Sequence, residues 1–137
     1  MNTISENTKE TKSFSLTKKE RLCSKKVIGK LFEEGDSILQ YPIKMVFLKT
    51  DLPAETKAQA GFTASKRAFK RAVTRNRIKR LLRESYRLNK HIIYNELNDE
   101  QLALFFIFIG KEIPKFETVE LAMKKGLLKI IHKRNKN

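Results

Sequence analysis

AGFTASKRAFKRAVTRNRIKRLLRESYRLNK, residues Ala60 to Lys90, joins two different periodicities in one stretch. Ala60–Ser65 reads as a short strand, and the chain after it becomes a strongly basic helix with two faces. At roughly 100° per residue, Val73, Ile78, Leu81, Leu82, Ser85 and Leu88 fall on one half of the wheel. Arg75, Asn76, Lys79, Arg80, Arg83 and Arg87 fall on the other. Arg77 lies near the edge of the apolar half, where a long stem can snorkel. A strand that feeds an amphipathic helix of this kind points to an α/β layer arrangement, with the helix burying its apolar half on a sheet.

The charge of this stretch is one-signed. Between Lys66 and Lys90 stand Lys66, Arg67, Lys70, Arg71, Arg75, Arg77, Lys79, Arg80, Arg83, Arg87 and Lys90, against the single acid Glu84. The chain carries +15 over 137 residues, and this segment holds two thirds of that excess. Like charges four apart on a helix cost roughly 0.2–0.5 kcal/mol each, a penalty that Arg75/Lys79, Lys79/Arg83 and Arg83/Arg87 all carry. Solvated helix faces interleave both signs; this one does not. A polyanion removes the repulsion and adds counterion release, so the stretch reads as a phosphate-binding surface. Arginine forks take phosphate oxygens two at a time and stack on bases. Asn76, among them, has both a donor and an acceptor. It can read a base edge or a sugar hydroxyl, or bond a neighbouring arginine or backbone carbonyl.

Working outward, Ser24 is placed to cap a helix running to Glu34, with Val27, Ile28, Leu31 and Phe32 as its apolar stripe and Gly35 closing it in the left-handed conformation. Pro42–Thr50 alternates as a strand, with Ile43, Met45 and Phe47 on one side and Lys44, Val46 and Leu48 on the other. A further strand is possible over Ser37–Gln40, and Lys57–Gln59 reads as exposed loop. Leu102–Ile109 is a continuous apolar run, the mark of a buried central strand. Thr118 is placed to cap a last helix carrying Val119, Ala122, Met123, Leu127, Ile130 and Ile131, with fraying from Arg134. Residues 1–13 have almost nothing to bury and read as a disordered tail, which leaves one domain over 14–133 and a frayed end at 134–137. The expected architecture is a small mixed sheet of about four strands covered by three helices, in the order αβββαβα.

Composition narrows the classes. No apolar run reaches the roughly 18 residues a membrane span needs, and the polar start has no hydrophobic segment of a signal peptide. The single cysteine, Cys23, excludes an internal disulfide and suits a reducing cytoplasm.

Arg75-Asn76-Arg77-Ile78-Lys79-Arg80-Leu81-Leu82-Arg83-Glu84 resembles the RNR signature of the bacterial ribonuclease P protein subunit family. Gly61-Phe62-Thr63-Ala64-Ser65-Lys66-Arg67 resembles the strand that leads into it. Leu16 to Leu22 and Lys30-Leu31-Phe32-Glu33-Glu34-Gly35 are similar to the family's N-terminal segment and first helix. The likeness spans about Phe14 to His132. It implies a ribosomal protein S5 domain 2-like fold with a left-handed βαβ crossover, against the usual right-handed rule. It also implies an endoribonuclease holoenzyme in which the RNA subunit, with Mg2+, removes the 5′ leader of precursor tRNA. The protein's part would be to bind that RNA subunit and the leader, in the cytoplasm, with no membrane or DNA partner. The RNA-facing role then falls on Lys66, Arg67, Arg71, Arg75, Asn76, Arg77, Lys79, Arg80 and Arg83. A leader cleft falls on Phe32, Lys44, Val46 and Ile28. Ile28 and Val46 stand where the family usually has aromatics, which leaves those positions van der Waals contact, with Lys44 as phosphate anchor.

No catalytic constellation is legible on the chain itself. It has no phosphate-cradling glycine loop, no HExxH and no cysteine–histidine metal spacing, and His91 and His132 are its only histidines. Three other readings compete: a ribosomal or other structural RNA-binding protein, an independent nuclease, and a helix-turn-helix DNA-binding protein. The last needs a second short helix just before the basic one, where Ala60–Ser65 reads as strand.

Overall fold

The computed structural model describes residues 16–53 and 55–136, so the tail expected over residues 1–13 lies outside the described residues. A 3₁₀ turn at Lys18–Glu20 precedes helix α1 (Lys25–Glu34) and strands β1 (Asp36–Gln40), β2 (Ile43–Lys49) and β3 (Ala58–Ala64). Helix α2 (Ala72–Asn89), a short α3 (His91–Tyr94), strand β4 (Leu102–Phe108) and helix α4 (Phe116–Lys136) complete it. This is the expected order with the short α3 added between α2 and β4.

The sheet runs β1-β2-β4-β3. β1/β2 and β2/β4 are antiparallel, and β3/β4 is parallel across the α2–α3 crossover. One face of β4 is fully buried and the other is covered in part, with Phe105 and Ile107 half-buried, which explains its unbroken apolar run. Alternation along the strands sorts the side chains into two cores. Ile43, Met45, Phe47, Leu104, Phe106 and Phe108 pack under α2 and α4, against Ile78, Leu82, Tyr86, Met123, Leu127 and Ile130. Val46 and Ala103 look the other way and pack with Leu22, Val27 and Leu31 beside α1.

Several local expectations change. Ser24 does cap α1, its Oγ accepting the Val27 N–H at 3.3 Å. Gly35 closes that helix in extended backbone, φ −73° and ψ 161°, so no left-handed residue is needed. Glycine fits there because a Cβ would press on the Leu31 carbonyl and come within 2.9 Å of the Phe47 carbonyl oxygen. Ala58 and Gln59 belong to β3, not to an exposed loop. Gln59 is buried because its amide reaches across to donate to the Lys19 carbonyl at 2.9 Å. Val73, assigned to the apolar half of α2, is 73% exposed. It sits in the first turn, beyond the edge of the core, whereas Tyr86 is fully buried against Phe62 and Phe106. α4 begins at Phe116, so Thr118 lies inside its first turn. The helix continues past Arg134, which donates to the Glu96 carbonyl at 3.1 Å and pairs with Glu100.

Candidate nucleic-acid interface

The basic surface is built in two parts. Lys66 and Arg67 lie in the turn that leaves β3, where the Ser65 hydroxyl accepts the N–H of Arg67 at 3.1 Å and of Ala68 at 3.4 Å. Phe69 plugs this turn into the core, its ring 6.0 Å from that of Phe108. Arg71 is the N-cap of α2 and makes no side-chain cap. Arg75, one turn into the helix, reaches back instead: its Nη1 donates to the carbonyls of Phe69 and Lys70, each at 2.8 Å. One arginine thus clamps the turn that presents Lys66, Arg67 and Arg71.

Along α2, Asn76, Arg77, Arg80 and Arg83 are exposed, and Lys79 is half-buried. Arg77 therefore joins the outward set. Ion pairs within 4.0 Å among the described residues are Lys49–Glu100, Arg87–Glu84, Lys90–Glu20 and Arg134–Glu100. None involves Lys66, Arg67, Arg71, Arg75, Arg77, Lys79, Arg80 or Arg83. Asn76 makes no side-chain hydrogen bond among the described residues. The two ends of the basic run differ. Arg87 pairs with Glu84 and holds that carboxyl below its ordinary value. Lys90 is 4% exposed and turned inward to Glu20, so neither offers an open cation.

The other sheet face carries a groove, because α1 covers only part of it. Strand register sets its floor: Ser37, Val46, Phe105 and Gly61 form one cross-strand row, and Leu39, Lys44, Ile107 and Thr63 the next. Phe32 rises from α1 at its edge, 49% exposed, with its ring edge-on to Phe105 at 5.2 Å and 83°. Lys44 is exposed, Ile28 half-buried and Val46 only 5% exposed. Val46 is thus the underside of the groove and offers little surface. Phe105 was not anticipated as a site residue. The signal was present in the alternation of β4, which puts Phe105 and Ile107 on the face of Val46 and Lys44. Gly61 lets the Phe105 ring lie across β3, since a Cβ there would strike the ring.

Among the described residues, no three His, Cys, Asp or Glu side chains group to hold a metal ion, and no helix is long and apolar enough to cross a membrane. His91, His132 and Cys23 are exposed.

The family model described as Ribonuclease P matches residues 16–131. The chain belongs to the ribonuclease P protein family. The Ribonuclease P protein component of Porphyromonas gingivalis (strain ATCC 33277) is 38% identical over 120 residues, 86% of this chain and 88% of the relative. That of Chlorobium phaeobacteroides is 35% identical over 115 residues, 75% and 79% of the two chains. The RNase P protein of Thermotoga maritima superposes with a TM-score of 0.60 at 23% identity, over 83% of this chain and 96% of that one. An RNase P protein of Staphylococcus aureus gives 0.59 at 17% identity, over 81% and 94%. These two likenesses carry the fold; family membership rests on the sequence matches. A ribonuclease P protein component is a subunit of the tRNA 5′-processing endoribonuclease, and the ribosomal alternative is not favoured.

Proposed function

We propose that this chain docks the RNA subunit of ribonuclease P along α2 and the turn before it, and cradles the 5′ leader of precursor tRNA in the groove beside α1. The observation that carries the reading is the set of eight cations, Lys66, Arg67, Arg71, Arg75, Arg77, Lys79, Arg80 and Arg83, none of them in an ion pair within 4.0 Å among the described residues. A fold that leaves them unneutralised keeps them for phosphate. Each phosphate contact releases condensed counterions and lowers the repulsion between two RNAs brought close together. Asn76 stands among them with an amide able to meet a base edge or a ribose hydroxyl.

In the groove, Phe32 and Phe105 supply ring surface on which leader bases stack, worth about 1–3 kcal/mol per base. Lys44 anchors a phosphate, while Val46 and Ile28 give apolar backing. In this reading bond cleavage belongs to the RNA subunit, which also holds the Mg2+. Among the described residues, the protein's own side chains form no group that fits a metal ion. The setting is the cytoplasm, and the partners are the RNA subunit and precursor tRNA.

The test is reconstitution at low magnesium. Protein plus RNA subunit should release the 5′ leader where either alone does so poorly or not at all. Robust cleavage by protein and magnesium without RNA would overturn the assignment of the chemistry to RNA. Absence of any gain from adding the protein would overturn the docking role.

A further inference from the structure

Beyond Glu117 and Glu120 in its first turns, the exposed side of α4 repeats the one-signed charge of α2 on a smaller scale. From Leu121 to Asn135 the helix has the cations Lys124, Lys125, Lys129, Lys133 and Arg134 and no acid. Two are used within the fold: Lys133 donates to the Ser37 carbonyl at 3.1 Å, and Arg134 is held by Glu96 and Glu100. Lys124, Lys125 and Lys129 are exposed and have no hydrogen-bond or ion-pair partner among the described residues. Lys125 and Lys129 are four apart, a mutual repulsion of about 0.2–0.5 kcal/mol left unrelieved. Leu121 and Leu128, 55% and 58% exposed, accompany them two turns apart. α4 shares its core and its face of the sheet with α2, and Asn89 of α2 donates to Glu120 of α4 at 3.3 Å. The leader groove is on the opposite face.

We propose that Lys124, Lys125 and Lys129 form a second phosphate-contacting strip, occupied by the backbone of the same RNA subunit that docks on α2. The inference rests on the reading of α2 as the RNA-docking helix. Charge complementarity selects a polyanion, and the shared face selects the RNA already seated on α2 over the precursor held in the groove. Leu121 and Leu128 then cover sugar surface between the contacted phosphates.

The experiment measures binding of the full chain to the RNA subunit as a function of salt. It compares the wild type, the triple variant Lys124→Gln/Lys125→Gln/Lys129→Gln and the double variant Arg80→Gln/Arg83→Gln, with thermal unfolding as the folding control. For three phosphate contacts the triple variant should lower the slope of log K against log salt by about two to three units, with an unchanged melting temperature. If the triple variant binds like the wild type while the double variant weakens, the strip is overturned and the reading of α2 stands. If the double variant is also unchanged, that underlying reading falls with it. A triple variant that keeps its affinity for the RNA subunit but loses precursor tRNA in the holoenzyme overturns the choice of occupant. Leu121→Ser/Leu128→Ser tests for a protein partner. Lost activity in that variant, beside an unaltered triple variant, overturns the strip.

Discussion

Lys90 and Glu20, seventy residues apart in the chain, meet as a buried ion pair with Nζ 2.6 Å from Oε2 and side chains 5% and 7% exposed. The Thr17 N–H donates to the other Glu20 oxygen at 2.9 Å, and the Tyr94 hydroxyl donates to Glu20 as well. The contact ties the 3₁₀ turn to the end of α2, while Leu22 bonds the Ala60 carbonyl at 3.0 Å and lays the same segment along the edge of β3. Removing one member of a buried pair leaves the other charge uncompensated, at a cost of about 3–5 kcal/mol. Glu20→Gln should lose that much stability in denaturant unfolding, and Glu20→Gln/Lys90→Met should recover a large part of it.

The same pair sets a pH dependence. Burial alone pushes the Glu20 carboxyl up, but the Lys90 ammonium, the Thr17 N–H and the Tyr94 hydroxyl together outweigh it, and the carboxyl titrates below its ordinary 4.5. A group depressed in the folded state stabilises fully above its unfolded value and loses that contribution as pH falls through the lower folded value. The stability gap between wild type and Glu20→Gln should therefore hold steady at neutral pH and shrink as pH drops below 4.5. A gap that widens in acid would contradict the assignment.

Arg75 and Arg80 belong to one basic arc yet should behave differently. Arg80→Ala should reduce the salt slope of RNA-subunit binding by about 0.7–0.9 for its one phosphate contact and leave the melting temperature unchanged. Arg75→Ala should also lower the melting temperature, because the Phe69 and Lys70 carbonyls lose their donor; each lost bond is worth about 0.5–1.5 kcal/mol. Equal melting temperatures for the two variants would dismiss the clamp.

Phe32→Ala should weaken binding of precursor tRNA by about 1–3 kcal/mol, one stacked base, with little change for mature tRNA, which has no leader. Phe105→Ala should show the same selectivity plus a folding cost. Parallel losses for both RNAs would remove Phe32 from the leader groove.

Two glycines offer a contrast in packing. At Gly35 an added methyl meets the backbone carbonyls of Leu31 and Phe47, which cannot move aside, so Gly35→Ala should destabilise by about 1–3 kcal/mol. At Gly126 the nearest atoms are the flexible end of Met45, and a helix interior gains about 0.8–1.0 kcal/mol on exchanging glycine for alanine. Gly126→Ala should therefore cost markedly less than Gly35→Ala in the same melting experiment.

Much of this architecture was legible because periodicity reports burial. The apolar run of β4 announced a central strand of the sheet, and the alternation of β2 placed Lys44 and Val46 on a common face. What escaped were long-range contacts. Glu20 looked like one more charge in a polar segment, and Lys90 like one more base in a phosphate-binding run; only the tertiary fold brings them together. Gln59 sat in a stretch of loop-like composition, yet the Lys19 carbonyl gives its amide a partner and lets β3 start earlier. On α2, wheel geometry assigned Val73 to the core, but a helix outruns the sheet beneath it and its first turn has nothing to pack on. In the groove, the family likeness points to positions on α1 and β2, whereas the half-buried ring beside Phe32 belongs to Phe105, on the strand between β2 and β3.

Phe105 and Phe106 are consecutive residues that look out on opposite worlds. One ring lines the groove beside α1 and the other supports the helix that carries the arginines. A single peptide unit is all that separates the two surfaces, and no joint lies between them. The protein is in effect a rigid shim whose gauge is one β-sheet, so the offset between whatever rests on its two sides is built in at folding.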